Sequence, residues 1–136
     1  MTEDKYAGLE AGFRTRIETF EAKLKQAGIH AKIVQGYRSI EEQNRLYAQG
    51  RTAPGKIVTN APGGESWHNY GLAADYAFVK SDGSITWNGP WDVFGSIARS
   101  CGLEWGGDFK GKFKDRPHVQ WRNGKTLAEM RMRACD

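Results

Sequence analysis

The chain has 136 residues, 39% hydrophobic and 12% aromatic, with a formal net charge of +4 and a pI near 9.1. That is the length of one globular domain, residues 1–136, with enough core to fold without staples, and the composition excludes a disordered chain. No stretch approaches the ~18 apolar residues of a helical membrane span, and the modest positive charge suits an anionic partner (cell wall, nucleic acid, a membrane surface) or simply solubility.

The amino terminus, Met1-Thr2-Glu3-Asp4-Lys5, is charged and has no apolar run behind it, so no signal peptide is expected and synthesis is placed in the cytosol. Tyr6, Leu9, Phe13, Ile17, Phe20, Leu24 and Ala27 recur at helical steps, which predicts a helix over residues 6–27 closed by Gly28. Gly8 and Gly12 weaken its first half, where it is expected to begin late or break. His30, after the stop, reads as a surface residue. Ala31–Gln35 predicts a short strand. Ser39-Ile40-Glu41-Glu42 fits a capping box that starts a helix at Ile40 and runs it to Gln49. Arg38 falls at the corner between these two elements, either lining a cleft or lying on the surface as an ordinary arginine. Residues 51–65 contain Pro54-Gly55, Pro62 and Gly63-Gly64. They predict a long irregular loop with at most a brief extended piece at Lys56–Thr59.

Leu72–Val79 predicts a strand on which Asp75 shares a face with Ala73 and Ala77, while Leu72, Ala74, Tyr76 and Phe78 face helices. Ser81-Asp82-Gly83-Ser84 is a tight turn and Ile85–Trp87 a return strand. Asn88-Gly89-Pro90 opens a helix striped by Trp91, Phe94, Ile97, Ala98 and Cys101 and ended by Gly102. Leu103–Phe109 is a glycine-rich loop with aromatics, and Pro117–Trp121 is the last strand, with His118 and Gln120 on one face. Laid antiparallel to Leu72–Val79, it sets His118 beside Asp75. Thr126-Leu127-Ala128-Glu129 is another capping box, opening a short basic helix through Arg131 and Arg133. The pattern is α+β, a small antiparallel sheet flanked by helices. Cys101 lies on an apolar stripe and reads as a buried thiol. A Cys101–Cys135 disulfide has no support, and the absence of a CxxC spacing argues against a thiolate metal site.

Two imidazoles and a carboxylate are a common protein set for catalytic zinc, with the fourth position left to water. His68, Asp75 and His118 supply that set. Metal hydrolysis also needs a base near the attacking water that does not itself bind the metal. Asp115, three residues before His118 and followed by Arg116-Pro117, is the first candidate, and Glu104 and Asp108 compete with it.

Ser66-x-His68-x-x-Gly71-x-Ala73-x-Asp75 resembles the SxHxxGxAxD signature of the zinc D-alanyl-D-alanine carboxypeptidase and L-alanyl-D-glutamate peptidase family, which includes vancomycin-resistance dipeptidases and small phage endolysins. The resemblance extends through Gly36-Tyr37-Arg38-Ser39, Gln43-Asn44-Arg45-Leu46-Tyr47, Trp105-Gly106-Gly107-Asp108-Phe109 and Asp115-x-Pro117-His118, over about residues 33–121. It implies the D-Ala-D-Ala metallopeptidase/hedgehog-like fold, Zn2+ held by His68, Asp75 and His118, and Asp115 moving a proton from the attacking water to the leaving amine. It implies that Arg38 stabilises the developing oxyanion and that Ser66 either supports the metal ligands from behind or touches substrate. Gln120 and Trp105 are expected to line the substrate. Gln120 departs from the pattern, since related endolysins often carry glutamate there, and some members use a glutamate base. The partner implied is bacterial peptidoglycan, reached by a monomer after holin-type release and without stable membrane association. The expected cut is between L-alanine and D-glutamate, although a D,D-carboxypeptidase would share every metal residue. A non-catalytic wall-binding relative conflicts with the complete set of residues. A nucleic-acid-binding module conflicts with the dispersed basic residues and the lack of any binding motif.

Overall fold

The structure, a computed structural model, describes residues 4–111 and 114–134. Helix α1 is Ala11–Gln26. It starts later than the periodicity alone predicts because Glu10 caps it, the carboxylate accepting from the backbone of Gly12 and Phe13 at 2.9 and 3.0 Å. Tyr6 and Leu9 lie outside the helix but still pack on the core. The Tyr6 and Tyr76 hydroxyls both donate to Glu21, at 2.8 and 2.7 Å, which ties the leading segment, α1 and the sheet together.

Strand β1 is Ala31–Gln35 and helix α2 is Ile40–Ala48. Helix α2 begins where predicted, with Ser39 Oγ accepting from Glu42 N at 3.0 Å. The long loop after it contains no strand at Lys56–Thr59, where Ile57 and Val58 are exposed and find no ladder to join. Strands β2 (Ala73–Val79) and β3 (Ile85–Thr86) precede helix α3 (Trp91–Ser100). Leu103–Phe109 is not only a loop as expected. It contains strand β4, Glu104–Trp105, because Trp105 pairs with Val119, followed by a 3₁₀ turn at Gly106–Asp108. Strand β5 is His118–Gln120, and helix α4 is Leu127–Ala134, with Thr126 accepting from Glu129 N at 3.2 Å.

The sheet runs β1-β2-β5-β4 with β3 on the far end of β2, and every pairing is antiparallel. Alternation divides its two faces. Ala74, Tyr76, Phe78 and Val119 turn toward α1 and α3 and are buried with Phe13, Ile17, Phe20, Trp91 and Phe94. Phe20 meets Tyr76 edge to face at 5.4 Å and Phe94 at 5.1 Å, and Phe78 packs at a tilt against Trp91 at 4.3 Å. Truncating a ring such as Phe20 to alanine costs about 3–5 kcal/mol. Cys101 is a buried free thiol on this core, and Cys135 lies outside the described residues. The opposite face carries Asp75, His118 and Gln120. The β1–β2 register shifts between Ile33 and Gln35, at the end of β1 beside Asp75. Among the described residues no helix is long and apolar enough to cross a membrane.

Candidate metal centre

Asp75 on β2 and His118 on β5 are direct cross-strand partners. Asp75 Oδ1 lies 3.0 Å from His118 Nδ1. His68 comes from outside the sheet, on a 3₁₀ turn at Trp67–Tyr70, and brings its Nε2 to 3.5 Å from the same oxygen. One ligand atom from each of the three residues falls within 4.8 Å of the others. Donors on a tetrahedral zinc with bonds of ~2 Å sit about 3.3 Å apart. The observed 3.0 and 3.5 Å bracket that value, so the residues present fit the ion.

The turn that aims His68 is built locally. Ser66 caps it, Oγ accepting from His68 N at 3.3 Å, and Asn69 Oδ1 accepts from Gly64 N at 3.0 Å. Asn69 Nδ2 donates to the Arg38 carbonyl at 2.8 Å, while Arg38 N donates to the His68 carbonyl at 2.9 Å. Gly71 closes the turn at φ 70°, and a side chain there would run into the carbonyl of Gly8. His68 Nδ1 sits 2.8 Å from the Gly36 carbonyl, which can only accept. The ring proton therefore belongs on Nδ1, and the Nε2 lone pair is directed at the cluster. His118 is reversed: Nδ1 faces Asp75, and Nε2 is 2.7 Å from Gln120 Oε1.

The electrostatics match a cation site. Burial on its own would raise the Asp75 carboxyl, but hydrogen bonds from His118 and His68 outweigh it and hold Asp75 well below the ordinary carboxylate range. Burial would lower the His118 ring, but the bonds to Asp75 and Gln120 prevail and raise it. Both His118 ring nitrogens face acceptor oxygens, and a metal would take the place of a proton between His118 and Asp75.

Asp115 stands next to this cluster without joining it. Its side chain keeps an open side to solvent, yet partial enclosure is the largest influence on its carboxyl and raises it above the ordinary value. His118 and Arg38 are near enough to pull it back part of the way. The turn that carries Asp115 is held by β4 and its sequel. Asp115 N donates to the Gly106 carbonyl at 2.9 Å, and a side chain on Gly106 would collide with the Asp115 carbonyl. Trp105 donates from its indole to the Arg116 carbonyl at 2.8 Å and is 5% exposed, which leaves it little surface to offer a substrate. The rival carboxylates are engaged elsewhere: Glu104 pairs with Arg122 at 2.7 Å and Asp108 with Arg99 at 2.8 Å.

Arg38 is half-buried at its corner and near enough to Asp115 to influence its carboxyl. Its Nη1 donates to Gln43 Oε1 at 2.8 Å, and its Nε is buried without a partner. Gln43 is fully buried and donates in turn to the Ala61 carbonyl at 2.7 Å and to Thr59 at 3.3 Å. Sequence reasoning gave no role to Gly36, Gln43 or Asn69. Gln43 carried a readable signal, an uncharged polar residue at an inward position of an amphipathic helix. Gly36 acts through a main-chain carbonyl and left none. A cavity of about 720 Å³ lies at the far end of α1 beside Lys25 and His30, away from the cluster. A cleft of about 390 Å³ adjoins it instead, walled by Trp67, Phe109, Gln120 and Leu127.

An aspartate and two histidines converging from a ladder and a capped turn, with a free carboxyl three residues before the last histidine, define a single-metal peptidase site. A family model described as D-alanyl-D-alanine carboxypeptidase matches residues 7–89, and a second of the same description matches residues 59–121. The chain belongs to this D-alanyl-D-alanine carboxypeptidase family of metallopeptidases. It is 49% identical over 113 residues to the peptidoglycan L-alanyl-D-glutamate endopeptidase CwlK of Bacillus subtilis (strain 168), covering 76% of this chain and 67% of that one. Its fold is similar to that of the L-Ala D-Glu endopeptidase ChiX of Serratia marcescens, with a TM-score of 0.60 and 24% identity over 92% of this chain and 86% of that one. It is likewise similar to the vancomycin-resistance D,D-pentapeptidase VanY in complex with Zn(II), with a TM-score of 0.63 and 15% identity over 90% of this chain and 83% of that one.

Proposed function

We propose that this chain hydrolyses the L-alanyl-D-glutamate bond of the peptidoglycan stem peptide, with zinc held by His68 Nε2, Asp75 and His118 Nδ1. The observation that supports this best is the convergence of those three donors beside the unbound carboxyl of Asp115, in a chain 49% identical to an endopeptidase of that name. Bound zinc would supply Lewis acidity toward the scissile carbonyl and make water a competent nucleophile near neutral pH. Asp115 accepts the proton that water loses as its oxygen attacks the alanyl carbonyl carbon. It then delivers that proton to the glutamyl nitrogen as the C–N bond breaks, and the second water proton passes from the new carboxylic acid to the freed amine, so a carboxylate and an ammonium leave with no net proton change at Asp115. Arg38, fixed by Gln43 and by its backbone bonds to the His68 turn, opposes the negative charge that grows on the carbonyl oxygen. Ser66 serves by capping the turn that aims His68.

The setting we infer is an endolysin-type one: a monomer that reaches the wall after membrane permeabilisation of the holin kind and lyses the host cell. The basic charge supports it through attraction to an anionic wall. The deciding experiment is mass spectrometry of peptidoglycan digested by the purified, zinc-loaded protein. New amino-terminal D-glutamate is expected. Release of free D-alanine would instead make the chain a D,D-carboxypeptidase, and no new ends at all would remove the peptidase assignment.

A further inference from the structure

Gln120 sits two residues beyond His118 on β5, on the same face, and is 7% exposed. Its backbone lies between two ladders, partnered by Ala73 on β2 and by Glu104 on β4, so its position relative to His118 is set on both sides. Its Oε1 lies 2.7 Å from His118 Nε2, a short contact for this pair of atoms. An amide that is buried and held in this way serves the ring beside it before it serves a ligand.

We propose that Gln120 is a positioning residue for the metal, and that its carbonyl oxygen fixes His118 with the proton on Nε2 so that Nδ1 is the ligand atom. A neutral imidazole carries one proton, and its tautomer is decided by the partner of the nitrogen that does not bind metal. For His68 that partner is the Gly36 carbonyl. For His118 it is Gln120. The two rings thus bind through different nitrogens, each chosen by an acceptor behind it, one supplied by the main chain and the other by a side chain. A side chain can be substituted, so the assignment at His118 can be undone by one mutation while that at His68 cannot. The sequence placed Gln120 against substrate, and the geometry sets its oxygen against a ligand ring instead. A carboxylate at this position would also accept from Nε2, and by making the ring a stronger donor it would hold zinc at least as tightly.

The inference rests on the assignment of His118 as a zinc ligand, so the experiment carries that control. Zinc affinity is measured by competition with a chromophoric chelator for the wild type, Gln120→Leu, Gln120→Glu and His118→Ala. Gln120→Leu is expected to weaken zinc about ten- to a hundredfold, the usual effect of removing such an outer partner. Gln120→Glu is expected to restore it, and the KM of Gln120→Leu at saturating zinc is expected to match the wild type. Nitrogen-15 NMR of the zinc-loaded wild type is expected to show His118 protonated on Nε2. Zinc affinity unchanged in Gln120→Leu, or a raised KM at saturating zinc, would overturn the proposal in favour of substrate contact. Should Gln120→Leu not fold, a proton on Nδ1 of wild-type His118 would overturn it independently. If His118→Ala also left zinc untouched, the fault would lie in the ligand assignment and not in the role of Gln120.

Discussion

Asp75 and His118 are separated by 43 residues in sequence and by one rung of a β ladder in space, their side chains meeting at 3.0 Å. The same Asp75 oxygen lies 3.5 Å from His68. One carboxylate oxygen is thus the centre on which both imidazoles close. Asp75→Asn keeps the shape and removes the charge that draws a cation in. Zinc affinity is expected to fall by more than about a hundredfold, beyond the loss typical of an outer partner, while the thermal midpoint of the chelated protein shifts far less than the zinc-loaded one. Equilibrium dialysis with zinc analysis checks this, and stoichiometric zinc in Asp75→Asn at micromolar free metal would contradict it.

The ion-free protein should have a defined pH window of stability. Asp75 is depressed on folding, so its contribution is present above the unfolded value of about 3.9 and is lost as pH falls through its folded value. His118 is raised on folding, so its contribution is full below about 6.5 and is lost as pH rises through its folded value. Both act together between about pH 4 and pH 6.5. Thermal midpoints in excess chelator are expected to peak in that window. Saturating zinc should remove the decline on the alkaline side, because the ion replaces the proton whose loss causes it. A midpoint in chelator that climbs steadily toward pH 9 would show that the pair does not behave this way.

Much of this was legible because the chemistry lies on short-period signals. Period two on Leu72–Val79 and Pro117–Trp121 placed Asp75 and His118 on one face, and antiparallel pairing of those runs set them side by side, as the ladder does. The capping boxes at Ser39 and Thr126 marked helix starts within a residue. Less legible were features that depend on partners distant in sequence. Two-residue β4 exists only because β5 offers Val119 to Trp105, and nothing within Leu103–Phe109 announces that. The Gly36 carbonyl behind His68 is main chain, which residue identity does not encode. Trp105 was expected against substrate, whereas its ring folds inward between Gly95 and Gly107.

Asp115 is expected to act on the rate and not on the metal. It is not within the cluster of donors, and its carboxyl is raised by partial enclosure. Asp115→Asn should retain zinc at wild-type affinity while kcat falls by about 10²–10⁴, the range of a lost general base. Because a base works only when ionised, the acid limb of kcat/KM should report the Asp115 carboxyl and should vanish in Asp115→Asn. Steady-state rates from about pH 4 to pH 8, with zinc analysis of the same samples, check both halves. Loss of zinc along with activity would make Asp115 a ligand instead.

The last prediction concerns Gln43, whose side chain touches no metal donor but accounts for the placement of Arg38. Its oxygen takes Arg38 Nη1 at 2.8 Å, and its nitrogen satisfies the Ala61 carbonyl at 2.7 Å in a fully buried setting. Gln43→Leu fills similar volume but leaves those two groups unpaired. Each such loss costs about 1–3 kcal/mol, so the thermal midpoint should drop by several degrees. If Gln43 also acts on catalysis, it does so through Arg38, whose guanidinium would otherwise be free to leave the site. A double-mutant cycle separates the two effects. Gln43→Leu alone should lower kcat with little change in KM, and Arg38→Ala should lower it further. The double variant should then match Arg38→Ala, since nothing remains for Gln43 to hold. Additive losses in kcat would mean that Gln43 reaches the reaction by another route, through the 59–61 loop it also anchors.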